Sequence, residues 1–112
     1  MNDVTATQTW KKIPDFALYE VSDGGQVRNR VTGALRKPYV DRDGYQRLGL
    51  HRNGRVVNRS VHGIVLEAFV GPRPDGMEGC HGDGDKSNNS ISNLRWDTHR
   101  ANMGDLRKLG SS

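Results

Sequence analysis

The chain has 112 residues, with 17 Lys and Arg against 13 Asp and Glu for a formal charge of +4, and a single cysteine. That length allows one compact domain or two very small modules, and one cysteine excludes an internal disulfide framework. No apolar stretch nears the ~18 residues needed to span a bilayer, and Met1 to Thr9 lacks the basic-then-apolar order of a secretory signal, so the expectation is a soluble cytoplasmic protein with no membrane partner.

In chain order, Trp10, Ile13, Phe16 and Tyr19 come first, at spacings that suit a cap on the apolar face of a sheet. Strand-like runs follow at Tyr19 to Val21, Gln26 to Arg30, Leu35 to Val40, Tyr45 to Leu50 and Val56 to Ser60. Asp23-Gly24-Gly25, Thr32-Gly33, Asp43-Gly44 and Asn53-Gly54 separate them, and Asp-Gly or Asn-Gly between alternating runs favours hairpins because both central positions of a type I′ turn need positive φ. A small antiparallel sheet is predicted. Within it, alternation from Gln26 places Val27, Asn29 and Val31 on one face and Arg28 and Arg30 together on the other.

From Val61 the apolar period becomes helical, through Ile64, Val65, Leu66, Ala68 and Phe69, with Ser60 as a candidate cap and Gly71-Pro72 as the stop. An irregular stretch from Arg73 to Asn89, an extended piece from Ile91 to Trp96, and a last helix capped by Asp97 or Thr98 and running to about Leu109 complete the reading. Charge divides along the same line. Nine bases and two acids lie between Arg28 and Arg59, whereas three bases and five acids lie between Gly71 and Asp97. A basic surface beside a pocket able to hold a cation suits a phosphodiester substrate.

The segment from Cys80 to Asn102 carries the chemistry. It gives a histidine at the end of an extended segment, a polar loop, a second short strand and a helix, so that His81, Asn93 and the first helical turns can converge. His81 is then able to act as a general base on water, with an oxygen ligand such as Asn102 beside a hard divalent cation. The alternative is a structural zinc held by Cys80, His81 and His99, which falls short of the usual four ligands. Asp83 and Asp85 lack the spacing of a calcium loop and suit a turn. His62 is either packed on its helix or a phosphate contact; His51 reads as a surface residue and Trp96 as core.

Val61-His62-Gly63-Ile64-Val65-Leu66-Glu67-Ala68-Phe69, Cys80-His81-Gly82-Asp83-Gly84, Asn88-Asn89 and Asn93-Leu94-Arg95-Trp96 closely resemble the phage and intron-associated HNH homing endonucleases. Trp10 to Asp23 and Gly25 to Arg28 look like the small DNA-binding module often fused in front of that nuclease. The resemblance implies an α+β fold with a small antiparallel β module at 1–59 followed by a ββα-metal (HNH) nuclease motif at 60–112. It implies a DNA endonuclease that hydrolyses phosphodiesters to a 3′-hydroxyl and a 5′-phosphate, with double-stranded DNA as partner and one divalent ion, Mg²⁺ first and Mn²⁺, Zn²⁺ or Ni²⁺ as substitutes.

By position, the resemblance makes His81 the base, Asn93 the residue that braces the loop and helps orient His81, and Asn102 the metal ligand, with His99 one turn earlier. One departure is Cys80, where the family commonly has an Asp or His ligand; a thiol is a poor partner for Mg²⁺ and a better one for softer ions. Candidate phosphate contacts are Arg28, Arg30, Arg47, Arg52, Arg55 and Arg59. Ending at Ser112, without the helix-turn-helix region into which several relatives continue, the chain is expected to discriminate sequence weakly and to bind in a salt-dependent way. The sequence leaves monomer and homodimer, and so nicking and double-strand cleavage, both open, and the competing reading is a DNA-binding module of HNH ancestry without catalysis.

Overall fold

The computed structural model describes residues 8–99. Its first sheet is a four-stranded antiparallel meander of β1 (Trp10–Ile13), β2 (Phe16–Ser22), β3 (Val27–Asn29) and β4 (Leu35–Arg36). Trp10 and Ile13 therefore belong to β1, and Phe16 and Tyr19 to β2, so they form part of the sheet and do not cap it. Pro14 and Asp15, the latter at φ 67°, make the two-residue connection that pairs Ile13 with Phe16. Proline's fixed φ followed by a residue tolerant of the left-handed region is the chemistry of a type II turn.

Two further expectations change in this region. Val27 is buried but Val31 is 83% exposed. β3 stops at Asn29, whose Oδ1 accepts from the amides of Val31 and Thr32 at 2.8 and 3.0 Å, and this local turn ends the strand period before it reaches Val31. The run from Leu35 to Val40 is two strands in different sheets, because Pro38 has no N–H to continue a ladder.

The second sheet holds β5 (Tyr39–Val40), β6 (Gln46–Arg52) and β7 (Arg55–Ser60). Asn53 and Gly54, at φ 52° and 75°, close the β6–β7 hairpin with the two positive values that a type I′ turn requires. Helix α1 (Val61–Phe69) follows at once, capped by Ser60, whose Oγ accepts from the Gly63 amide. Its apolar stripe of Val61, Ile64, Val65 and Leu66 is buried.

After α1 the stretch read as irregular contains a strand, β8 (Met77–His81), paired antiparallel with β9 (Leu94–Thr98). Glu78, Gly79 and Cys80 carry little strand propensity, and the cross-strand partners Asp97, Trp96 and Arg95 supply what they lack. Ile91–Asn93 is a 3-10 turn, closed by the Asn93 amide on the Ser90 carbonyl, so the extended piece begins at Leu94. Asp97 and Thr98 lie in β9, and His99 is the first helical position; the rest of the expected last helix, with Asn102, lies outside the described residues.

Helix α1 is the common wall of the molecule. Ile13, Phe16 and Val21 from the first sheet, Leu48 and Leu50 from the second, and Leu94 from the hairpin join its stripe in one buried cluster, with Trp96 packed against it. Each such aliphatic contributes about 1.5–3 kcal/mol on burial. No helix among the described residues is long and apolar enough to cross a membrane.

Candidate functional site

His81 ends β8, opposite Leu94, and is 6% exposed. Along β8 side chains alternate, so His81 and Gly79 face α1 while Cys80 and Glu78 face away. Glycine at 79 is needed for that approach: a Cβ there would lie 2.6 Å from His62 Cδ2. The His81 ring meets His62 at 4.8 Å between centroids and Tyr45 at 6.0 Å, and His62 meets Tyr45 at 5.3 Å. Lys86 Nζ lies 4.5 Å over the Tyr45 ring.

Burial, with the neighbouring His81, pushes the His62 imidazole down to about 4, so it is neutral at neutral pH. Burial, with the Glu78 carboxylate next, pushes the Tyr45 phenol up. The one side-chain hydrogen bond recorded for the His81 ring among the described residues joins Nε2 to Asn89 Oδ1 at 2.8 Å. Asn89 is 4% exposed, and its Nδ2 donates to Gln46 Oε1 on β6 at 3.1 Å.

Asn93 stitches the loop between β8 and β9. Its Oδ1 accepts from the Asp83 amide at 3.0 Å, and its Nδ2 donates to Asp83 Oδ1 and to the Asn88 carbonyl, both at 2.9 Å. The Gly82 amide reaches the Asn93 carbonyl at 2.7 Å. Asp83 also accepts from Asn88 Nδ2 and from the Asp85 amide, and these bonds, Asn88's foremost, hold its carboxyl below the usual range. Asp85 repeats the device on Ser87, so both aspartates act as turn formers. Asn93 thus fixes the backbone beside His81, while Asn89 holds the ring.

The cation implied by the resemblance finds no complete set of donors among the described residues, which contain no group of three His, Cys, Asp or Glu able to hold a metal. Cys80 is buried, its Sγ lies 3.4 Å from the Glu78 carbonyl as a donor, and burial pushes its thiol up, so the protonated form is favoured. His99 is exposed, with Nδ1 3.0 Å from Glu78 Oε1. Cys80 and His81 point to opposite sides of β8, which separates the ligands of the alternative zinc site. The residues described do not fit a metal centre by themselves.

The six arginines are not alike. Arg28 pairs with Glu20 at 2.6 Å and stacks 3.7 Å over Trp10, giving that indole the basic partner the sequence does not reveal. Arg59 pairs with Glu67. Arg30 Nη1 donates to the Ala17 carbonyl at 2.8 Å, Arg47 Nε to Asn58 Oδ1 at 2.9 Å, and Arg52 lies 5.0 Å over Phe16. Arg55, beside the β6–β7 turn, is exposed. Trp96 donates to the Gly71 carbonyl at 3.1 Å and locks β9 to the end of α1; His51 is exposed.

From the sequence, Gln46 and Tyr45 have no role, and Asn88 and Asn89 suit a turn that stitches the loop by side-chain to backbone bonds; the Asn89 side chain instead bonds the side chains of His81 and Gln46. No local signal marks these contacts, since Gln46 and Asn89 meet across 43 residues of chain.

Two family models match the chain: an HNH endonuclease model over residues 59–104 and the NUMOD4 motif over residues 9–51. The chain is 34% identical over 103 residues to DNA endonuclease I-HmuI of Bacillus phage SP01, covering 91% of this chain and 59% of that protein. It is 37% identical over 93 residues to an uncharacterised HNH endonuclease of Acanthamoeba polyphaga mimivirus, covering 83% of this chain and 28% of the relative. Among solved structures, one described as DNA binding and cleavage by the HNH homing endonuclease I-HmuI matches with a TM-score of 0.82 at 33% identity, over 93% of this chain and 60% of that one. The chain spans about three-fifths of the length of I-HmuI.

Proposed function

The chain belongs to the HNH endonuclease family, with a NUMOD4 motif ahead of its HNH segment, and on that premise we propose that it hydrolyses phosphodiester bonds of double-stranded DNA. His81 is the general base that takes a proton from the attacking water, a role for which imidazole is suited near neutral pH. Asn93 keeps the loop backbone in the conformation that presents His81. The observation that carries this reading is the placement of His81 at the end of β8, ring held by Asn89, in a hairpin whose loop Asn93 ties at three points.

HNH endonucleases are generally dependent on a divalent metal. Mg²⁺ is the proposed ion, with Asn102 as its proposed protein contact, Cys80 and His99 being engaged as described above. The basic strands from Arg28 to Arg59 are the proposed DNA-contacting surface, acting on phosphates and not on base edges. Similarity to DNA endonuclease I-HmuI of Bacillus phage SP01 supports action on DNA inside a host cell.

Incubation of supercoiled plasmid with the protein and Mg²⁺, Mn²⁺, Zn²⁺ or Ni²⁺ tests the proposal. Conversion to open-circle or linear DNA is expected with a cation and not with chelator, and His81→Ala is expected to lower the rate by about 10²–10⁴-fold. The product form separates nicking from paired cuts. A buried Cys80, its protonated form favoured, in place of the Asp or His ligand common in the family favours a second reading, a DNA-binding module without catalysis. Retarded DNA that is never cut with any of the four cations would select it.

A further inference from the structure

Asn89 has one acceptor oxygen and one amide nitrogen, and both are committed. Its Nδ2 faces Gln46 Oε1, which can only accept, so Nδ2 donates there and Oδ1 is left toward His81. An oxygen at 2.8 Å from Nε2 requires that nitrogen to carry the proton. In the neutral ring the lone pair then lies on Nδ1.

The two side chains are themselves held. Gly25, at φ +89°, lies so close to Asn89 that a Cβ there would fall 2.8 Å from both Asn89 Cβ and the Asn89 carbonyl oxygen. The Ile91 amide donates to the Asp23 carbonyl at 2.8 Å, and Lys86 Nζ donates to the Asp43 carbonyl at 2.6 Å. Asn89 is thus carried by a loop clamped on both sides to turns of the first two sheets.

From this we infer that Asn89 and Gln46 are positioning residues for hydrolysis: a relay from β6 through Asn89 fixes the His81 ring and its tautomer, making Nδ1 the proton-accepting atom. The inference rests on His81 being the base. It adds which nitrogen does the work, and it ties the base to a side chain of the amino-terminal half. A ring free to rotate about χ2 would spend part of its time with a protonated or misdirected nitrogen toward the water, so the relay acts on the rate of the chemical step and not on DNA affinity.

The test combines spectroscopy with kinetics on the full chain. In ¹⁵N-labelled protein at pH 8, His81 is expected to show a hydrogen-bonded Nε2–H protected from solvent exchange and a pyridine-type Nδ1. Asn89→Ala is expected to lose that protected proton and to lower kcat about 10–100-fold with little change in KM. Asn89→Asp, which keeps the acceptor, restores both. Gln46→Ala leaves Asn89 in place but frees its amide, and is expected to give a smaller loss of the same kind; it serves as the test if Asn89→Ala does not fold.

An Nδ1–H tautomer in the wild type overturns the inference, as does an unchanged ring proton and kcat in a folded Asn89→Ala. Cleavage that persists in His81→Ala instead overturns the base assignment and the kinetic half of the inference with it. The tautomer is read independently of cleavage, so the two failures are distinguishable.

Discussion

At the scale of single residues, the candidate site packs the neutral His62 imidazole against the His81 ring. His62 is held near 4 by burial and by His81, whereas in the unfolded chain it titrates near its ordinary 6.5. The unfolded state therefore takes up the proton first as pH falls, and the native state loses stability between about pH 6.5 and pH 4. Above pH 6.5 this contribution is fully present; below 4 nothing more is lost through this group. A shift of this size corresponds to about 3 kcal/mol. Urea unfolding of wild type and His62→Gln between pH 7.5 and 4.5 measures it: the wild-type midpoint should fall more steeply than that of the variant, and parallel curves would remove His62 as the cause.

At the scale of elements, the turn between β2 and β3 and the loop between β8 and β9 form one joint. Gly25→Ala places a side chain at a positive φ and against Asn89 at once, so it is expected to cost about 3 kcal/mol, a sum of backbone strain and overpacking. Thermal or urea unfolding reads the loss, and a change under 1 kcal/mol would mean that the loop yields freely. Elements with strong local chemistry were plain in the sequence: Asn53-Gly54 as a hairpin turn, and α1 with its Ser60 cap and its stop at Gly71. Elements made by distant partners were not. β8 takes its form from β9, and β1 from its pairing with β2, while the Asn29 turn and Pro38 end strands earlier than alternation alone suggests. The site divides in the same way. His81 and Asn93 are expected at the site from the resemblance their motifs carry, whereas Asn89's bond to His81 and its tie to Gln46 depend on contacts no local pattern encodes.

At the scale of the whole molecule, the proposed contact with DNA depends on which basic side chains are already engaged. Because Arg28 and Arg59 are already paired with carboxylates, and Arg47, Arg52 and Arg55 are not, the two groups are expected to differ on a duplex. Each phosphate contact removed lowers the slope of log affinity against log salt by about 0.9. Fluorescence anisotropy at several salt concentrations should show that decrease for Arg55→Ala and a smaller one for Arg59→Ala. Equal slopes for wild type and Arg55→Ala would take Arg55 out of the interface.

The joint of Gly25 with Asn89, Asp23 with Ile91 and Lys86 with Asp43 also bears on how such proteins can be recombined. The NUMOD4 and HNH segments look like cassettes in sequence, yet each contributes half of a close-packed seam. A chimera that exchanges one cassette between relatives inherits a mismatched seam unless residues 23–25, 43 and 46 travel together with 86–91, so productive crossovers are those that conserve the pair as a unit.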